Sequence, residues 1–73
     1  MKWDASELGS RIRMYRSYLD MTQGELADAV GVNLTTIVKY EDGAMVPGAD
    51  KLLRIAEVLR RTPNDLLCGA GTR

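Results

Sequence analysis

Glycine and proline divide this chain into short segments, and this division limits the possible folds more than any other feature. The breaks fall at Gly31, Gly43, Pro47-Gly48, Pro63 and Gly69. Between them, apolar residues recur three and four positions apart, which is the spacing of one face of an α-helix, and no alternating strand pattern appears. The sequence therefore predicts an all-α fold, a compact domain of five short helices.

Length and composition fit a single small domain. Seventy-three residues, 45% of them hydrophobic and 27% charged, are enough for one core and too few for a second. We expect one domain over residues 1–73, with its core at about 6–68 and a flexible tail at 69–73. Because no apolar run resembles a signal peptide or a membrane span, we expect a cytoplasmic protein with no membrane partner.

The residue types that carry catalysis and metal binding are scarce. The chain has no histidine, and its one cysteine, Cys68, can form neither an internal disulfide nor a tetrahedral zinc site. No base lies near Cys68 in the sequence, and no paired carboxylates suggest a cleft. We predict no catalytic residue, no metal, no cofactor and no small-molecule ligand, with Cys68 as an apolar filler of the last helix.

Capping residues mark where the helices begin and end. Ser6 is the predicted cap of a first helix whose apolar face contains Leu8, Ile12 and Tyr15. Later helices are predicted at 23–29, 34–41, 49–60 and 63–68, the last opened by Thr62 and Pro63.

Two of these helices form the most informative pattern. Thr22 and Glu25 have the spacing of a capping box, Gly31 suits a left-handed turn, and Asn33 caps the next helix. Two short helices joined by a three-residue turn with a central glycine match the helix-turn-helix, whose second helix lies in the major groove of DNA.

Over about residues 8–68 the chain resembles the Cro and cI repressor family, also called the XRE family. The resemblance rests on an ordered set of positions rather than on one motif: Leu8, Gly9, Ile12, Arg13, Arg16, Thr22, Gln23, Leu26, Ala27, Gly31, Val32, Ile37, Tyr40, Glu41, Asp42, Gly43, Pro47, Leu52, Ile55, Ala56, Leu59, Leu66 and Leu67. It implies a DNA-binding domain, a salt bridge between Arg16 and Glu41, and a contact of Gln23 with the DNA backbone.

Helical geometry separates the two faces of the predicted recognition helix. At about 100 degrees per residue, Ile37 and Tyr40 define its core side. The opposite side supplies the residues predicted to contact bases: Asn33, Leu34, Thr35, Val38 and Lys39. Apolar residues there suit thymine methyl groups, and polar ones suit base edges. A helix that only packs is the alternative.

Phosphate contacts are predicted from a helix start and from two arginines. Thr22 and Gln23 lie at the amino end of the second helix, where backbone donors and the helix dipole attract anions. Simple capping is the alternative for Thr22. Arg16 and Arg13 are the predicted cationic contacts.

The charge balance argues against strong binding by one subunit. The net charge is zero, and residues 21–43 contain one lysine and four acidic residues. Residues 44–46, where relatives of this family often carry basic or polar side chains, offer only backbone amides. We therefore predict a homodimer whose recognition helices lie about 34 Å apart on a palindromic operator. The resemblance implies that the dimer interface lies at Val58 and 60–67. The alternative is an apolar patch on the first helix, formed by Met14, Tyr18 and Leu19, unless Trp3 covers that patch within the same subunit.

These observations predict a sequence-specific transcriptional regulator, a repressor or controller protein, whose partner is double-stranded DNA. The alternative is a protein-interaction module that kept the helix-turn-helix fold and lost its affinity for DNA. An enzyme is the least supported class.

Overall fold

Residues 4–69 are described by a computed structural model, and they form four α-helices followed by a single π-helical turn. The elements are α1 at Ala5–Tyr18, α2 at Gln23–Val30, α3 at Leu34–Asp42, α4 at Ala49–Leu59 and the C-terminal turn at Asp65–Gly69. Within this range there is no strand, so the predicted all-α class with five helical elements is confirmed. Trp3 and the tail positions 70–73 lie outside the described residues.

The beginning of α1 differs from the prediction. Asp4, not Ser6, is the N-cap: its Oδ1 accepts hydrogen bonds of 2.8 Å from both the backbone N–H and the hydroxyl of Ser6. These two bonds hold the pKa of the exposed Asp4 carboxyl below its usual value, and the bond from the Ser6 hydroxyl has the larger effect. Ser6 was the wrong choice because the helix begins at Ala5, so Asp4 stands at the cap position and satisfies the orphan N–H of Ser6.

Capping at the helix-turn-helix follows the prediction. Thr22 Oγ1 accepts from the Glu25 N–H at 3.0 Å, and the Glu25 carboxylate accepts from the Thr22 N–H at 2.9 Å. Gly31 ends α2 with a φ of 90°, in the left-handed region. Asn33 then caps α3 by accepting from the Thr36 N–H at 3.0 Å. The capping box, the glycine turn and the cap of α3 are confirmed.

The carboxyl end of α4 is less regular than the sequence suggested. The helix ends at Leu59, and Arg60 takes a left-handed conformation with a φ of 62°. The left-handed conformation costs an L-residue with a side chain about 1–2 kcal/mol, so helices usually end this way at glycine. Because position 60 is an arginine, no local pattern in the sequence indicated that α4 ends here. Thr62 and Asp65 then cap each other's backbone N–H groups at 3.1 Å.

One apolar cluster joins all five elements. Its fully or nearly buried members are Leu8, Ile12, Tyr15, Leu26, Ala27, Val30, Ile37, Tyr40, Ile55, Ala56, Leu59 and Leu66. The Arg11 guanidinium adds a polar tie by donating to the carbonyl oxygens of Leu66 and Leu67 at 3.1 and 2.9 Å, which fastens the C-terminal turn to α1. None of the helices within residues 4–69 is long and apolar enough to cross a membrane.

Gly9 sets the distance between α1 and α3. A Cβ placed on Gly9 would lie 2.5 Å from the carbonyl oxygen of Glu41 and closer still to that of Tyr40. Both obstacles are backbone atoms of a helix, which cannot rotate away as the end of a side chain can. Only glycine lets the two helices approach this closely.

We expect Gly9→Ala to lower the free energy of unfolding by about 1–3 kcal/mol, because α1 and α3 must separate. Gly24→Ala is the matched control, since a Cβ there meets nothing nearer than the Thr22 hydroxyl at 3.9 Å. That variant should be neutral or more stable by up to about 1 kcal/mol. Urea unfolding followed by circular dichroism measures both, and equal effects would contradict the role of Gly9.

Candidate nucleic-acid interface

One face of α3 is buried in the protein, and the opposite face is accessible to solvent. Ile37 is fully buried, Tyr40 is 5% exposed and the Glu41 side chain is also buried. On the other side, Leu34 is 50% exposed. Of the remaining predicted reading residues, Asn33, Thr35 and Lys39 are exposed and Val38 is half-buried. Solvent can thus reach every residue predicted to contact bases, and Val38 is the most restricted of them.

Asn33 divides its side chain between two tasks. Its Oδ1 accepts from the backbone N–H of Thr36 at 3.0 Å and from the Thr36 hydroxyl at 2.9 Å. Because the oxygen is used in the cap, the amide Nδ2 is the group with which Asn33 can meet a base, as a donor. A donor matches purine N7, guanine O6 or thymine O4 in the major groove.

A buried carboxylate joins α3 to α1. Glu41 accepts from Arg16 twice, Nε to Oε2 at 2.7 Å and Nη2 to Oε1 at 3.1 Å. Arg16 Nη1 donates to the Met21 carbonyl oxygen at 2.8 Å. The side chains of Glu41 and Arg16 are only 1% and 15% exposed. All three nitrogen atoms of the guanidinium therefore donate within the protein, which leaves Arg16 poorly placed to neutralise a phosphate.

Gln23 and Arg13 converge on the same carboxylate. Gln23 Nε2 donates to Glu41 Oε1 at 3.0 Å, and Arg13 Nε lies 3.6 Å from that oxygen. Arg13 also donates to the Glu41 carbonyl oxygen at 3.2 Å and lies 3.6 Å from Asp42 Oδ1. Its side chain is nonetheless 51% exposed, so Arg13 can still meet an anion from solvent.

The contact between Gln23 and Glu41 was not foreseen from the sequence. Eighteen positions separate the two residues, and neither helical periodicity nor capping patterns relate positions that far apart. The only available signal was indirect: the resemblance already placed Glu41 against Arg16, and Gln23 begins the helix that packs on α3.

Two further details bear on the local charge. Glu25 and Asp28 are exposed on α2. Thr22 is also exposed, and its hydroxyl caps α2. The expectation that backbone amides of residues 44–46 are available to phosphate is wrong for two of them. Ala44 N and Met45 N both donate to the Lys39 carbonyl oxygen, at 2.9 and 3.3 Å, because the chain turns back on α3 after Gly43.

We expect Arg16→Met to lower the free energy of unfolding by about 3–5 kcal/mol, because it leaves Glu41 buried without its charge partner. Arg54→Met is the control, since it removes only exposed contacts, a pair with Glu57 of 3.0 Å and a hydrogen bond of 3.2 Å to the Ala29 carbonyl oxygen, and should cost about 1 kcal/mol or less. The double variant Arg16→Met, Glu41→Leu should be more stable than Arg16→Met alone. Thermal and urea unfolding measure these differences, and equal losses in the two single variants would contradict the prediction.

Comparison with known proteins places this geometry in a family. A family model described as "Helix-turn-helix domain" matches residues 7–67. The chain is similar to the cryptic phage CTXphi transcriptional repressor RstR of Vibrio cholerae, with 33% identity over 63 residues that cover 86% of this chain and 55% of that protein. An uncharacterized HTH-type transcriptional regulator of Archaeoglobus fulgidus is 42% identical over 57 residues, 78% of this chain and 81% of the relative. Of the phage repressor, the chain spans only about half of the length.

Solved structures share the fold. The P22 c2 repressor, in complex with the synthetic operator 9T, superposes with a TM-score of 0.82 at 34% identity, over 85% of this chain and 94% of the repressor. SinR, the master regulator for biofilm formation, in complex with DNA, superposes with a TM-score of 0.76 at 27% identity, over 81% and 95% of the two chains. With its helix-turn-helix, its family match and these neighbours, the chain belongs to the helix-turn-helix domain family, of the Cro and cI repressor (XRE) type.

Proposed function

We propose that this chain is a sequence-specific transcriptional regulator, a repressor or controller protein, that acts in the cytoplasm by inserting α3 into the major groove of double-stranded DNA. The observation that carries the proposal is the division of α3 into two faces. Ile37, Tyr40 and Glu41 fix one face in the protein, and the other is solvent-accessible along the whole helix. The neighbours with this fold include two that were solved bound to DNA.

Base recognition on this proposal relies on few charges. Leu34 meets thymine methyl groups, joined by the accessible part of Val38. Thr35 and the Asn33 amide hydrogen-bond to base edges, and Lys39 reaches a guanine acceptor or a phosphate. Such a surface discriminates between sequences mainly by shape and by hydrogen bonds.

Phosphate binding involves the amino end of α2. Gln23, Thr22 and the half-exposed Arg13 are the proposed contacts. Arg16 is a weaker candidate than the sequence suggested, because its guanidinium is committed to Glu41 and to the Met21 carbonyl. Its charge helps to offset that of Glu41, and its role in the proposal is structural.

The small number of available cations is the reason to propose a homodimer. Each phosphate contact made by a cation contributes a salt-dependent increment to affinity, and one subunit offers mainly Arg13 and Lys39. Two subunits related by a two-fold axis double the contacts and read a palindromic operator, with recognition helices about 34 Å apart.

A mobility-shift titration at low salt, with DNA selected from a random pool, tests the function. Enrichment of a defined, two-fold symmetric site supports a sequence-specific regulator. If no DNA is retarded at any concentration, the alternative function is favoured: a protein-interaction module that uses the exposed apolar residues Leu34, Met45 and Val46.

We expect Gln23→Ala and Thr35→Ala to separate the two kinds of contact. Gln23→Ala should weaken binding to all sequences by a similar factor, because it removes a backbone contact. Thr35→Ala should change which bases are preferred, with a loss of about 1–3 kcal/mol confined to the preferred site. Titrations on the selected site and on variants of it measure both effects. Equal losses on every sequence for both variants would contradict this division of roles.

Sedimentation equilibrium across a range of protein concentrations tests the oligomeric state. We expect a reversible monomer–dimer equilibrium, with the dimer favoured on a palindromic duplex because DNA binds it preferentially. A monomer at the highest concentrations, together with one subunit per duplex, would rule out the proposed dimer.

A further inference from the structure

The carboxylate of Glu41 is a meeting point for three side chains from other helices. Its Oε1 accepts from Arg16 Nη2 at 3.1 Å and from Gln23 Nε2 at 3.0 Å, and Arg13 Nε lies 3.6 Å away. Arg13 and Arg16 belong to α1, Gln23 begins α2, and Glu41 lies in the last turn of α3. One buried oxygen atom thus relates side chains from all three helices of the candidate interface.

We propose that Glu41 is a positioning residue for DNA-backbone binding, and that its buried carboxylate orients the Gln23 amide and the Arg13 guanidinium toward phosphate. The proposal rests on the proposed function, because it needs a DNA backbone as the ligand. It assigns an acidic side chain a favourable effect on the affinity for a polyanion.

The carboxylate can do this because its own orientation is fixed. Arg16 binds both oxygen atoms of Glu41, and the Glu41 side chain is 1% exposed. An amide nitrogen has two N–H groups, so Gln23 can keep one on Glu41 while the other meets phosphate. Ordering the side chain before binding removes part of the entropy cost that a mobile glutamine would pay on the DNA.

The charges around Glu41 nearly balance. Arg13 and Arg16 carry two positive charges against the single negative charge of Glu41, so this group of three has a net charge of +1. Asp42 cancels that surplus, because its carboxylate lies 3.6 Å from Arg13 and is 61% exposed. Neighbouring acidic residues of α3 therefore have opposite effects: Glu41 orients donors, whereas Asp42 only repels phosphate and competes for Arg13.

The arrangement also links backbone contacts to base reading. Because Glu41 is part of α3, the side chains that it orients are held in a fixed position relative to the helix that reads the bases. Phosphates bound by Gln23 and Arg13 then set the depth and register of α3 in the groove.

Glu41→Gln and Asp42→Asn provide the test, since each removes one negative charge and the positions are adjacent. We expect E41Q to weaken binding by about fivefold on every sequence, and D42N to leave affinity within about twofold or to raise it. If repulsion of phosphate were the only effect of these two carboxylates, both variants would bind DNA more tightly. Affinities are compared at equal folded fraction, measured by circular dichroism at low temperature.

A double-variant cycle distinguishes positioning from general destabilisation. In the Gln23→Ala background, the loss caused by E41Q should shrink to about twofold or less, because the main side chain that Glu41 orients is absent. An unchanged fivefold loss in that background overturns the role of Glu41 in orienting Gln23. So does E41Q binding as tightly as D42N.

A measurement on the unaltered protein covers the case in which E41Q does not fold. Nitrogen relaxation of the Gln23 side-chain amide, without DNA, should show restricted motion similar to that of the backbone, and a freely mobile amide would overturn the proposal. If the unaltered protein binds no DNA, the proposed function itself fails. If it binds DNA and E41Q binds no more weakly than D42N, only the positioning role fails.

Discussion

The ion pair between Arg16 and Glu41 is the interaction on which the arrangement of the first three helices depends. A carboxylate that is almost completely buried is tolerable only when charge and hydrogen bonds replace the water that it has lost. Arg16 supplies both by binding the two oxygen atoms of Glu41, and it also donates to the Met21 carbonyl between α1 and α2. A packing of these helices that separated the pair would leave a buried charge without its partner, which disfavours such a packing.

This constraint matters because α3 is short. A helix of nine residues is marginal by itself in water, so its orientation comes from what it packs against. Ile37 and Tyr40 anchor it in the core, Gly9 allows α1 to approach its backbone closely, and Gly43 ends it. A recognition helix held from one side can present its other side to DNA without first having to fold.

The fold also changes the meaning of the charge balance. Counting residues along the chain makes the segment 21–43 acidic, which is unfavourable for a DNA-binding surface. In three dimensions, Glu41 is paired inside the protein, and Glu25 satisfies the N–H of Thr22 at the start of α2. Asp42 is the acidic residue that still acts on Arg13 at the interface. Net charge along a segment thus overstates the repulsion that a phosphate would experience.

Local interactions explain what the sequence by itself determined: the helical segments, the capping box at Thr22, the left-handed turn at Gly31 and the cap at Asn33. Each involves residues at most four positions apart, so spacing and residue type are enough to identify it. Even local rules left competing choices, as at Asp4, which took the cap assigned to Ser6. The pairing of Arg16 with Glu41 was suggested by family resemblance and by no local pattern. Only the tertiary structure decided that Gln23 and Arg13 meet at Glu41, that Arg16 is largely withdrawn from solvent and that Val38 is half-buried. These features depend on how closely α1, α2 and α3 approach one another, and the packing of side chains distant in sequence sets that approach.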